Sequence, residues 1–90
     1  MQFKDKETAK VAQGQMSRKL PQQIQAKALR LIQRLDAATC PEDMMNPPGN
    51  RWEILKGDRQ GDYSVRINNQ WRICWAWEKG PVRVEITDYH

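Results

Sequence analysis

The amino-acid sequence predicts an α+β fold: two N-terminal helices packed on a small antiparallel sheet of about four strands. Two observations carry the prediction. Apolar residues recur at helical spacing in the first half of the chain, and after a proline-rich interruption the period changes to two. The 90 residues fit a single domain spanning positions 1–90. A chain of this size buries only a little over ~60% of its unfolded surface, which leaves one small core and one outer face to explain.

A first helix is expected over Lys6 to Gln13, ended by the polar stretch around Gly14. Pro21 then suits the first turn of a second helix, and Ile24, Ala28, Leu31, Ile32 and Leu35 fall within one apolar sector. That assigns Gln22 to Ala38 to an amphipathic helix. Lys27, Arg30 and Arg34 form a narrow basic stripe beside the apolar face and read as solvated charge. The run CPEDMMNPPGN, Cys40 to Asn50, holds three of the five prolines and a glycine, which stop helix and strand alike. It reads as a structured connection with a helical turn at Pro41 to Met44.

Beyond it Tyr63, Val65 and Ile67 alternate with Ser64, Arg66 and Asn68, and Trp71, Ile73, Trp75 and Trp77 alternate with Arg72, Cys74, Ala76 and Glu78. Val82, Val84 and Ile86 continue the pattern. Gly57 to Gly61, Asn68 to Gln70 and Lys79 to Pro81 supply the turns of a meander. The tryptophans of the central strand share one face and read as core. Arg66 and Arg72 occupy the polar alternation of adjacent strands and are expected to converge on the other face.

Composition narrows the function. Apolar residues make up 39% of the chain and charged ones 29%, as in an ordinary globular domain. No apolar run is long enough for a membrane span or a signal-peptide core, so a cytoplasmic location and no membrane partner are expected. Cys40 and Cys74 lie far apart with His90 as the only histidine, which gives no basis for a metal or other cofactor and favours reduced, packed thiols. The net charge of +4 and pI near 9.3 favour a polyanionic partner.

Cutting RNA with side chains alone requires activation of a 2′-hydroxyl, stabilisation of charge on the phosphorane, protonation of the leaving 5′-oxygen and a hold on the base. Arg66, Arg72 and Lys56 can donate to phosphate oxygens, arginine being suited by its planar fork. Tyr89 offers a flat surface for a base. His90 has an unperturbed pKa of about 6.5, suited to proton transfer near neutrality. As the last residue given, it stands beside its own α-carboxylate, which favours the imidazolium and hence the role of proton donor.

Four pieces of the run Asn46 to His90 occur together and in order: PPGNR, the LKGDR turn at Leu55 to Arg59, the YSVRINNQWRI hairpin at Tyr63 to Ile73, and the terminal Asp88, Tyr89, His90. Together they resemble HigB-type toxins of the RelE/ParE superfamily of type II toxin–antitoxin systems. The resemblance implies a RelE-like fold and a ribosome-dependent endoribonuclease that cleaves messenger RNA on the 70S ribosome. It also implies neutralisation by a HigA-like helix-turn-helix antitoxin, through which the complex would bind operator DNA. Residue by residue it places Lys56, Arg66 and Arg72 on the cleaved phosphate. It gives proton transfer to His90, stacking or a hydrogen bond to Tyr89, and orientation of His90 or the 2′-hydroxyl to Asp88. Where some relatives carry a histidine three residues before the LKG lysine, this chain has Glu53. A carboxylate there can act as a general base if burial raises its pKa, or can pair with Lys56 or an arginine; neighbouring cations favour pairing. A paired Glu53 leaves the isolated protein without a tuned base, so ribosome-bound substrate must supply the geometry. The alternatives are a ParE-like gyrase-inhibiting toxin, against which the terminal Asp-Tyr-His argues, and a non-catalytic basic RNA-binding module.

Overall fold

The computed structural model describes residues 1–88, and the expectations for Tyr89 and His90 lie outside the described residues. Helix α1 (Lys6–Ala12) begins where the Asp5 carboxylate accepts the Thr8 backbone N–H at 2.7 Å, satisfying one of the donors that a first helical turn leaves open. Helix α2 (Gln22–Asp36) follows Pro21 and buries Ile24, Ala28, Leu31, Ile32 and Leu35, the sector its spacing marked out. Between the helices Ser17 is pinned: its hydroxyl donates to Glu7, and its backbone N–H donates to Gln25 Oε1 at 2.9 Å. Both helices end a residue or two short of the expected boundaries, an ordinary fraying of helix termini.

The Cys40 to Asn50 connection contains two short 3-10 turns, Pro41–Met45 and Pro48–Asn50. It is built around Asn50, which is buried and donates through Nδ2 to the carbonyls of Met44 at 3.3 Å and Asn46 at 3.1 Å. Arg34 of α2 also donates to the Asn46 carbonyl. One member of the basic stripe is therefore a brace on this connection, a role that helical spacing alone does not display.

Strands β1 (Glu53–Ile54), β2 (Tyr63–Arg66), β3 (Trp71–Trp77) and β4 (Pro81–Asp88) form one antiparallel sheet in the order β1-β2-β3-β4. The helices cover one face. Val65, Ile67, Ile73, Trp75, Val84 and Ile86 meet Val11 and the apolar face of α2 in the main core, with Trp71 and Trp77 partly buried against it. The Gly57 to Gly61 turn opens with a 3-10 turn, Gly57–Arg59, and both glycines take positive φ, which a side chain would resist.

The alternation expected for Val82, Val84 and Ile86 fails at one point. Cys74 pairs with Glu85 but Ala76 pairs with Val82, so β4 carries an extra residue opposite Trp75, and Arg83 takes a left-handed φ of 52° there. The bulge turns Val82 away from the main core and onto the outer face, which it shares with Ala76. A further feature lies beyond sequence periodicity. Phe3 forms a parallel bridge with Val84, and Thr8 Oγ1 accepts the Ile86 N–H at 3.0 Å, so the N-terminal segment and α1 occupy the otherwise open edge of β4. Among the described residues no helix is long and apolar enough to cross a membrane.

Candidate functional site

On the face away from the helices the strand register sets side chains in two rows. One runs Glu53, Ser64, Cys74, Glu85 across the four strands. The other, nearer the end of the sheet where β4 finishes, runs Arg66, Arg72, Thr87. Period-two alternation placed Arg66 and Arg72 together, and the register makes them direct cross-strand partners. Two like charges in that relation repel. Each is tied down differently: Arg66 donates to the Asn69 side chain in the hairpin turn, a neutral partner, whereas Arg72 meets a carboxylate.

Arg72 has a side chain only 14% exposed. Its Nε donates to Ser64 Oγ at 2.9 Å, and its Nη2 donates to the Arg51 carbonyl at 2.7 Å and lies 3.4 Å from Glu53 Oε1. The Ser64 hydroxyl in turn donates to Glu53 at 3.5 Å. Arg51 reaches this position because the Pro48–Asn50 turn ends on it in the left-handed conformation, φ 51°, with its N–H on the Pro48 carbonyl. The proline-rich connection thus has a purpose in the site: it aims a backbone carbonyl at Arg72. Glu53 pairs with an arginine, as its cationic surroundings suggested, and the arginine is Arg72.

The remaining candidates are spread out. Asp88 stands at the same end of the sheet but opposite Trp71, so register directs it to the helix side, away from Arg72; there it accepts a hydrogen bond from Gln70 Nε2 at 2.9 Å. Lys56 is exposed at the far end of β1, where the chain enters the Gly57–Arg59 turn. Tyr89 and His90 follow Asp88 outside the described residues. The described structure therefore brings Arg66 and Arg72 together with Glu53, Ser64 and the Arg51 carbonyl, and does not bring Lys56 or the Asp88 side chain into that group.

Arg59 folds back over the outer face, 2.5 Å from Glu85 Oε1, while Lys4 approaches the same carboxylate at 3.3 Å. Burial works against the Arg59 charge, but the adjacent Glu85 carboxylate outweighs it and holds the guanidinium pKa above its ordinary value. Beneath them the Cys74 thiol is pushed up to about 11, chiefly by burial. The aromatic rings lie mainly on the other side: Trp52 stacks on Tyr63 at 5.7 Å and Tyr63 on Trp75 at 6.1 Å. Trp75 is fully buried and belongs to the core. Among the described residues no group of three or more histidine, cysteine or acidic side chains stands together as a metal site.

The chain is thus a basic α+β domain with a helix pair on one side of its sheet and two opposed arginines at one end of the other. The full chain, residues 1–90, matches the family model described as "RelE-like toxin of type II toxin-antitoxin system HigB". It is 34% identical over 91 residues to "Toxin HigB-1" of Vibrio cholerae serotype O1, an alignment covering 100% of this chain and 96% of the relative. An uncharacterized protein of Haemophilus influenzae is 26% identical over 77 residues, covering 86% of this chain and 76% of that protein. The chain belongs to the HigB-like toxin family, the RelE-like toxins of type II toxin–antitoxin systems, and that membership implies an antitoxin partner.

Proposed function

We propose that this toxin is an endoribonuclease that needs no metal, cleaves messenger RNA on the translating 70S ribosome and so inhibits translation. The observation that carries the reading is the pair Arg66 and Arg72, opposed across β2 and β3, with the Glu53 carboxylate on Arg72 and only a neutral amide on Arg66. Such a pair is electrostatically unfavourable by itself and becomes favourable when a phosphate arrives. In the reaction the 2′-oxygen attacks the adjacent phosphorus, the arginines stabilise the extra charge on the phosphorane, and the bond to the 5′-oxygen breaks. The 2′-hydroxyl gives its proton to solvent, and the leaving 5′-oxygen takes one from His90, with Tyr89 holding the base and Asp88, set by register on the face away from Arg72, left to orient the imidazole rather than the hydroxyl. Products are a 2′,3′-cyclic phosphate and a 5′-hydroxyl. Lys56, at the far end of β1, adds positive charge along the path of the RNA rather than at the cleaved phosphate. A HigA-like helix-turn-helix antitoxin neutralises the toxin and carries the complex to operator DNA.

Glu53 is engaged with Arg72 rather than held as a poised base, which suits a toxin that acts only where the ribosome fixes the geometry of its substrate. The test is induction of untagged wild type beside His90→Gln and Arg72→Ala, with soluble expression checked and transcript ends mapped. Growth arrest with new cuts in translated messages is expected for wild type, with cleavage lowered roughly a hundredfold in each variant. Arrest without cuts, or equal arrest by the variants, would replace the nuclease reading with gyrase inhibition or simple binding.

A further inference from the structure

Five N–H bonds radiate from a guanidinium, and at Arg72 most of them are spoken for within the protein. Nε is bound by Ser64 and Nη2 by the Arg51 carbonyl and the Glu53 carboxylate, while Nη1 has no partner among the described residues. The ring of partners is itself organised. Ser64 is wholly buried, in a row flanked by Glu53 and Cys74, and its hydroxyl both accepts from Arg72 and donates to Glu53. Glu53 is 53% exposed, so its ion pair with Arg72 contributes little to stability in water. Its consequence is orientation.

We propose that Glu53 and Ser64 are positioning residues that clamp Arg72 and present its Nη1 edge to the scissile phosphate. The inference rests on the ribonuclease reading and extends it to residues that touch no substrate. A long side chain fixed before substrate arrives loses no conformational freedom at the moment of reaction, and its donor lies where phosphorane charge develops. Glu53 then acts through Arg72 alone. That distinguishes the clamp from a direct role for Glu53 as a base, because a positioning effect disappears once the group being positioned is gone.

Two measurements on the purified full chain decide it. In cleavage of ribosome-bound message, Glu53→Gln and Ser64→Ala are each expected to lower kcat roughly tenfold, with KM within about twofold of wild type and thermal unfolding midpoints unchanged. In the double variant, Glu53→Gln is expected to add nothing to the loss caused by Arg72→Ala. A further loss of similar size in the double variant would overturn the clamp in favour of direct catalysis by Glu53. Independently of activity, the Arg72 Nε–H signal in NMR should exchange slowly with water in wild type and at least roughly tenfold faster in Ser64→Ala. Rapid exchange in wild type overturns the clamp even if cleavage is robust. Slow exchange in a wild type that cleaves nothing leaves the clamp in place but removes the ribonuclease reading and its catalytic purpose. Should Ser64→Ala fail to fold, the Glu53→Gln arm decides alone.

Discussion

Burial on the outer face raises the Cys74 pKa from 9.0 to about 11; Glu85 adds to the effect, while Arg59 and Arg72 oppose it. The native protein therefore keeps a proton on Cys74 that the unfolded chain loses above its ordinary pKa. Between pH 9 and pH 11 the folded state binds more protons than the unfolded one, so stability falls as pH rises through that window. The slope from this group approaches about 1.4 kcal/mol per pH unit, or about 2 kcal/mol lost by pH 10.5. Urea unfolding of wild type and Cys74→Ala at a series of pH values should show the wild type declining more steeply above pH 9; parallel curves would refute the assignment. The same face shows what single residues reveal before folding. Arg66 and Arg72 were legible because period-two alternation assigns faces directly, and Glu53 was legible as a carboxylate among cations. Ser64 and the Arg51 carbonyl were not: a serine in a polar alternation carries no mark of the guanidinium it will meet, and a backbone carbonyl carries no sequence signal at all. The Arg59–Glu85 ion pair was hidden for a related reason, since Glu85 lies 26 positions away in the chain and becomes a neighbour of Arg59 only when the turn folds over the sheet.

At the scale of elements, the edge of β4 depends on α1. Thr8 is wholly buried, accepts the Ile86 N–H at 3.0 Å and donates to Asp5 Oδ2 at 3.1 Å, so one hydroxyl joins a helix cap to a strand edge. Replacing it by an isosteric apolar group leaves a buried N–H without a partner. Thr8→Val is expected to lose about 1–3 kcal/mol in urea unfolding, whereas Thr8→Ser, which keeps the hydroxyl, should lose less. Equal stability of Thr8→Val and wild type would show that another acceptor satisfies Ile86. The helices and strands themselves were readable because each follows its own period, and the prolines between Cys40 and Asn50 separated the two regimes. The bulge at Arg83 was not, because Val82, Val84 and Ile86 keep perfect alternation in sequence. Only pairing with β3 shows that one residue is extra and that Val82 belongs to the outer face. The parallel bridge of Phe3 with Val84 escaped for the same reason: an isolated bridge has no period.

Over the whole molecule the division of labour is between two faces of one sheet. The helix side holds the main core and the aromatic stack, so the outer side is free to carry groups that stability alone would not select, above all two opposed arginines beside a carboxylate. The net charge of +4 adds a long-range attraction for a polyanion to this local arrangement. These contributions separate by their response to salt. Attraction of the whole chain is screened over the ~10 Å Debye length at 0.1 M salt and affects encounter, whereas a phosphate bound directly by an arginine releases a counterion in a fixed ratio. KM for cleavage of ribosome-bound message should therefore rise with potassium chloride concentration. Arg66→Ala should raise KM at low salt and flatten the log–log slope by about 0.7, the value for one phosphate contact on a single strand. Arg30→Ala, on the exposed stripe of α2 across the sheet, removes the same unit charge and should leave that slope nearly unchanged. If the two variants change the slope equally, the sheet end carries no privileged phosphate contact and the attraction belongs to the basic surface as a whole.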